Sequence, residues 1–326
     1  MSDDAPAGSR HVKRLLVVGG SGFVGGNVAR LASKRWDVTI VGRRPPAAPG
    51  GFAVLSADIA ERGETFAAFG EAKPDAVVNA AAVSGIDFAE RNRELAWKVN
   101  VIGARNVAEA CSLSGAKCVF ISSDAVFSGA AGIYREGDEP DPVNFYGRTK
   151  AEAEKEVLSL SAGAVVIRIS LVLGYPAGYR IDSSAGSLPA GGPVPRGNAF
   201  YPVLEESLRK GAPVPQPSDE IRTPVDVITL AEAAIELAAG GFGGIIHVGS
   251  TGSASRYEIA RLAARVMGYS PDLVTPKTPA SCPGQASGRA PRHKNGIIDV
   301  SLADRILRTR MLGVEESVRR SVVERL

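Results

Sequence analysis

The aliphatic run Leu15–Val18 passes directly into Gly19-Gly20-Ser21-Gly22-Phe23-Val24-Gly25, and beyond it Val24, Val28 and Leu31 recur at helical spacing. A strand that ends in Gly19, Gly22 and Gly25, three apart, and then becomes a helix predicts the first βα turn of a dinucleotide-binding sheet. Gly19 permits the tight turn, Gly22 lets a pyrophosphate approach the main chain, and Gly25 lets the helix lie close on the sheet. Free N–H groups at the helix start then face the anion, with the helix dipole behind them. Gly19, Gly22, Phe23, Val24 and Gly25 are therefore assigned to a cofactor.

The rest of the first half repeats this grammar. Short apolar runs at Arg14–Val18, Val38–Val41, Phe52–Ala57, Ala76–Asn79, Lys117–Ser122 and Ala164–Ile169 alternate with helical patterns. Several of these runs show no polar alternation, as strands buried on both faces require. The expected class is α/β, a Rossmann-type doubly wound parallel sheet with helices on both faces. The longest helix is expected from about Asp87 to Ser114. The pattern changes after Ser170, because nine prolines fall between Gly174 and Pro224, with one helical patch at Val203–Lys210. A helix over Leu230–Ala239 and a strand over Gly244–Val248 return to the sheet, and a last helix spans Tyr257–Met267. The division that follows is a tail at 1–12 and a nucleotide-binding domain at 13–173, completed by about 225–250. A smaller C-terminal substrate lobe is built from 174–224 and 251–326.

The ends of the strands carry the chemistry, since open α/β sheets bind ligands at their carboxyl edge. The second strand ends Val41-Gly42-Arg43-Arg44 with no carboxylate to hold a free ribose hydroxyl. Two guanidinium groups suit a 2′-phosphate instead, which favours NADP(H) over NAD(H). Asp58 and Ile59 close the third strand beside an adenine, and Asn79, Ala80 and Ala81 leave room for the nicotinamide half. The fifth strand ends in Ser122-Ser123-Asp124, which places a hydroxyl at the same edge. Tyr146 and Lys150 stand four apart on a predicted helix and share a face. An ammonium near a phenol stabilises the phenolate and draws its pKa down towards working pH.

Gly19–Gly25, Asn79-Ala80-Ala81, Asn100, Ser123 and Tyr146-x-x-x-Lys150 together resemble the extended short-chain dehydrogenases/reductases. Within that class the chain is most similar to the dTDP-4-dehydrorhamnose reductases, through Asn79–Glu90, Ile121–Gly129 and Tyr134–Lys150. The resemblance runs strongly from about residue 13 to 170. It implies that Tyr146 donates a proton to a keto oxygen and that Ser123 hydrogen-bonds the same carbonyl. Lys150 would hold the nicotinamide ribose, Asn100 would belong to the cofactor side, and Asp124 to the substrate side. The implied reaction is reduction of a nucleotide-linked 4-keto-6-deoxy sugar. An epimerase, and a regulatory subunit like the β subunit of methionine adenosyltransferase, remain the alternatives. Dehydratases of the class need an Asp-Glu pair, and here Asp124 is followed by Ala125. Arg222, in Arg222-Thr-Pro-Val-Asp226, resembles a diphosphate ligand of the class and reads equally as a surface salt-bridge partner.

Other features exclude more than they assign. A net charge of +3 lacks the basic stripe of a nucleic-acid binder. No apolar run reaches the roughly 20 residues that span a bilayer, and the first eleven residues lack the order of a secretion signal. Three cysteines make no disulfide framework, so a cytoplasmic setting is expected. No cluster has metal-ligand spacing. His247 is expected to be a satisfied core histidine, Trp36 and Trp97 packing residues, and Arg135–Asp141, with Glu136, a solvated loop. Arg289, Arg292, His293 and Lys294 form a basic patch that reads as a solvated loop or a diphosphate contact. A homodimer is left open.

Overall fold

The computed structural model describes residues 12–43, 52–177, 200–277 and 289–324. Its strands are, in chain order, Arg14–Val18 (β1), Asp37–Gly42 (β2), Ala53–Ser56 (β3), Ala76–Asn79 (β4), Lys117–Ile121 (β5) and Val165–Ile169 (β6). After these come Val172–Leu173 (β7), Val214–Pro217 (β8), Ile221–Arg222 (β9), Val225–Asp226 (β10), Gly244–Val248 (β11), Ala254–Ser255 (β12), Val274–Lys277 (β13) and Asn295–Gly296 (β14). Seven of them form one parallel sheet in the order β11-β6-β5-β4-β1-β2-β3, a Rossmann-like α/β fold. In the sheet's centre, Val18 stands beside both Val41 and Asn79, and Asn79 beside Phe120, so the strand ends are level.

Alternate residues of each inner strand enter opposite cores. Leu15 and Val17 of β1, with Val119 and Ile121 of β5, face Val28 and Ala29 of helix Phe23–Ala32 (α1). Leu16 and Val18, with Cys118 and Phe120, face the other core. That second layer includes Arg62–Ala72 (α2), and after it come the short helices Ile86–Arg91 (α3) and Arg93–Trp97 (α4). Val107 and Cys111 of Gly103–Ser114 (α5) and Ala153 and Val157 of Phe145–Leu160 (α6) complete it. Each aliphatic side chain so buried contributes about 1.5–3 kcal/mol.

The helix expected over Asp87–Ser114 is not continuous. Asn92, at φ −126° and ψ 56°, leaves helical geometry and separates α3 from α4. Lys98–Ile102 then forms a π-turn before α5 begins. Trp97 is 40% exposed, so it is not the packing residue expected, whereas Trp36 is buried. His247 is buried as expected, yet only Nδ1 has a partner, the Asp299 carbonyl, and Nε2 has none.

Beyond β6 the chain builds a third core. Leu204 and Leu208 of Phe200–Arg209 (α7) meet Val214, Val274 and later helices there. Val227–Ala239 (α8) packs instead beside α1 on the sheet. Arg256–Val266 (α9) supplies Ile259 and Ala263 to the third core, and starts from a capping box between Ser255 and Glu258. Ser301–Ile306 (α10) packs near β11, and Val314–Val323 (α11) gives Val318 and Val322 to the third core. Strand β9 lies between β12 and β14, which joins Arg222 to the chain around residue 295.

Candidate active site

At the end of β1 the main chain turns as the glycines require. Gly19 has φ +79°, and a Cβ there would lie 2.8 Å from the Ala81 nitrogen. A Cβ on Gly25 would stand 2.3 Å from the Gly19 carbonyl, so α1 could not approach the turn with any side chain there. Helix α1 begins at Gly22 without a side-chain cap and without an acid in its first turn. Its first N–H groups are therefore left for an anion, the arrangement that a pyrophosphate fits.

A cavity of about 240 Å³ opens beside this turn, lined by Gly22, Arg43, Asp58, Ile59, Ala80 and Ala81 among others. Arg43 is half-exposed and faces Asp58 at 3.9 Å. Asp58 is fixed by the Ala60 N–H, and the Ile59 carbonyl accepts from Asn106. Asn79 is buried and its Oδ1 accepts from the Ala81 N–H at 3.2 Å, which shapes the end of β4. Phe23 is turned into the core, so only its main chain serves the turn, whereas Val24 borders the larger cleft. Arg44 lies outside the described residues.

The larger cleft, about 1280 Å³, runs along the carboxyl edge from Gly22 past Ser123, Tyr146 and Lys150 to Arg222 and His293. Asn144 starts α6 by accepting from the Gly147 N–H at 2.9 Å, and its amide donates to the Pro291 carbonyl. This cap places Tyr146 in the first turn, with Lys150 one turn later. Asn100, carried by the π-turn, accepts from the Val83 N–H at 2.7 Å and donates to Thr149 at 2.9 Å. It thus ties α6 to the loop after β4 and does not point at the cofactor cavity.

The electrostatics differ from the sequence expectation in one respect. Burial pushes Tyr146 up to about 12; a hydrogen bond with Ser123 works against this, and the Asp124 charge adds to it. Lys150 is held by the strand beside it. Its Nζ donates to the Ile121 carbonyl at 2.6 Å and stands 3.9 Å from the centre of the Phe120 ring. Burial lowers Lys150 to about 7, against the opposing charge of Glu154. Ser123 accepts from the Ala125 N–H and donates to Asp124 Oδ1, both at 3.1 Å.

Arg222 is not a surface partner, being 6% exposed. Its donors are committed to the protein: Nη1 to the Ile221 and Lys294 carbonyls, Nη2 to Glu220 and the His293 carbonyl. Lys277 and Arg289 also border the cleft, together with Arg256, paired with Glu220 at 3.8 Å, and Arg292, paired with Asp87 at 2.8 Å. Arg256 and Lys277 had no motif to mark them, and the pairing of β12 with β9 and of β13 with β8 brings them here. Lys294 turns away to Asp219. Glu136 lies off the cleft and binds the His247 N–H, so the segment around it is exposed as expected but Glu136 itself is engaged.

Among known families, one described as RmlD substrate binding domain matches residues 13–325. The chain belongs to that family. A relative of the family, dTDP-4-dehydrorhamnose reductase of Mycobacterium tuberculosis, is 29% identical over 291 residues, 84% of this chain and 82% of its own. The crystal structure of dTDP-4-dehydrorhamnose reductase from Bacillus anthracis in complex with NADP superposes with a TM-score of 0.78 at 25% identity, covering 95% of this chain and 99% of that one. A Thermus thermophilus UDP-glucose 4-epimerase in complex with NAD shares the fold, with a TM-score of 0.73 and 24% identity over 95% and 97% of the two chains. The glycine turn of this RmlD-family chain thus stands in a fold that, in these two solved structures, is in complex with NADP or NAD.

Proposed function

We propose that the chain is an NADPH-dependent reductase of the keto group of a nucleotide-linked 4-keto-6-deoxy sugar, of the dTDP-4-dehydrorhamnose reductase kind. The observation that carries this reading is the convergence of Ser123, Tyr146 and Lys150 with the open start of α1 in one cleft. The bound nicotinamide supplies the hydride. Tyr146 donates its hydroxyl proton to the keto oxygen, and Ser123 donates a hydrogen bond to the same atom. Lys150 would hold the nicotinamide ribose. Gly22 and the first turn of α1 take the pyrophosphate, Arg43 takes the 2′-phosphate, and Asp58 and Ile59 flank the adenine. Arg256, Arg289 and Arg292 take the sugar diphosphate, with Arg222 holding the wall behind them.

The division into a nucleotide-binding part and a substrate lobe goes with this reading, the third core around α7, α9 and α11 being the lobe. So does a cytoplasmic setting. Among the described residues no helix is long and apolar enough to cross a membrane. A homodimer is compatible with this assignment but carries none of it.

The test is nicotinamide absorbance in the presence of dTDP-4-keto-6-deoxyhexose. Net NADPH consumption is expected, falling by about 10²-fold or more in Tyr146→Phe with cofactor binding intact. Interconversion of sugar epimers without net consumption would overturn the reductase in favour of an epimerase. Cofactor binding without turnover on any keto-sugar would overturn it in favour of a regulatory subunit.

A further inference from the structure

A second buried constellation stands behind Ser123. His293 Nε2 lies 3.1 Å from Asp124 Oδ2, and the two side chains are 4% and 6% exposed. Ser170 donates to the same oxygen at 2.6 Å, and Arg222 Nε stands 3.8 Å from it. The chain at Gly296 closes over the pair so tightly that a Cβ there would lie 2.4 Å from Asp124 Oδ2 and 2.8 Å from His293 Nε2. His293 Nδ1 has no protein partner, although the residue borders the cleft. The other charged groups around the pair are Glu220, Arg256 and Arg292, with Tyr146 on the cleft side.

The arrangement sets up a competition for one proton. The Ser123 hydroxyl donates to Asp124 Oδ1, whereas the proposed reaction needs that hydrogen on the substrate oxygen. The Asp124 charge also opposes formation of a Tyr146 phenolate. A cation on Oδ2 weakens both effects, because a neutralised carboxylate is a poorer acceptor and a smaller local field.

We infer that His293 is a positioning residue for proton transfer: its imidazolium, held by Asp124, releases Ser123 and Tyr146 to the substrate. This rests on the keto-reductase reading above. Only hydrogen bonds rearrange; the proton that reaches the substrate is still that of Tyr146.

His293→Gln keeps an N–H donor for Asp124 but cannot carry the charge. It is expected to lower kcat several-fold to about tenfold, with the KM for NADPH unchanged. It should also change the shape of the kcat–pH profile. In an Asp124→Asn background the same substitution should have no further effect. An equal loss in both backgrounds, or an unaltered pH profile, overturns the inference. A readout free of turnover is the ¹⁵N NMR titration of the three histidines, with His293→Gln identifying its signal. If that titration is indifferent to Asp124→Asn, the pair does not form and the inference fails even where the reductase assay succeeds. A coupled pair in a protein that reduces no keto-sugar overturns the reductase reading, and the role of His293 with it.

Discussion

Arg168 of β6 and Glu154 of α6 form an ion pair at 2.7 Å with side chains 1% and 3% exposed. Nε of the arginine reaches both carboxylate oxygens at 3.1 Å, and Ser122 donates to the same carboxylate. The pair sits one helical turn beyond Lys150 and ties α6 to two strand ends. Removing one partner of a buried pair strands the other charge, at a cost of about 3–5 kcal/mol. Glu154→Ala is therefore expected to lower the unfolding free energy by that amount, read from the fall in the denaturant midpoint. The double variant Glu154→Gln, Arg168→Met should recover most of the loss. Stability equal to that of Glu154→Ala in the double variant would show that the pair is not the cause.

Under the proposed function, Arg43 is the residue that distinguishes NADPH from NADH. It is half-exposed, and among the described residues its guanidinium pairs with Asp58 at 3.9 Å, which leaves it room to meet a phosphate. Charge-assisted hydrogen bonds contribute about 1.5–3 kcal/mol. Arg43→Ala is thus expected to weaken NADPH by about tenfold or more and to leave NADH nearly unchanged, measured by fluorescence titration of each. Equal losses for both dinucleotides would remove the 2′-phosphate assignment.

Lys150 gives a pH signature of stability. Burial brings its folded pKa to about 7, below its ordinary 10.5. Between those values the unfolded chain binds more protons than the folded one, so stability rises with pH across that window and the penalty is full below it. The unfolding midpoint of the cofactor-free protein should increase from pH 7 to 9. In Lys150→Met this slope should flatten while turnover is lost. An identical slope in both proteins would place the titration elsewhere.

The sheet was legible in the sequence because a strand buried on both faces leaves an unbroken apolar run, and β1, β4 and β5 each show one. The turn at Gly19–Gly25 and the four-residue step from Tyr146 to Lys150 are local, so spacing alone exposes them. Asn100 was matched by position, yet its amide turned out to brace α6, which no spacing could reveal. The pairing of Asp124 with His293 spans 169 residues and depends on β9 and β14 meeting. One sign of such pairing was present: Arg168 lies in the otherwise apolar strand Val165–Ile169, and a charge there demands a buried partner.

The route of the chain to the cleft also sets an order in time. Glycine turn, Ser123, Asp124, Tyr146 and Lys150 all emerge from the ribosome before residue 151, but the imidazole that meets Asp124 and the carbonyl of Gly296 that meets Ser170 come far later. A nascent chain can shape its nucleotide-binding turn while Asp124 still lacks its clamp. Completion of the cleft around Tyr146 is thereby one of the last events of synthesis, and a chain cut short near residue 290 would carry that tyrosine without its full surroundings.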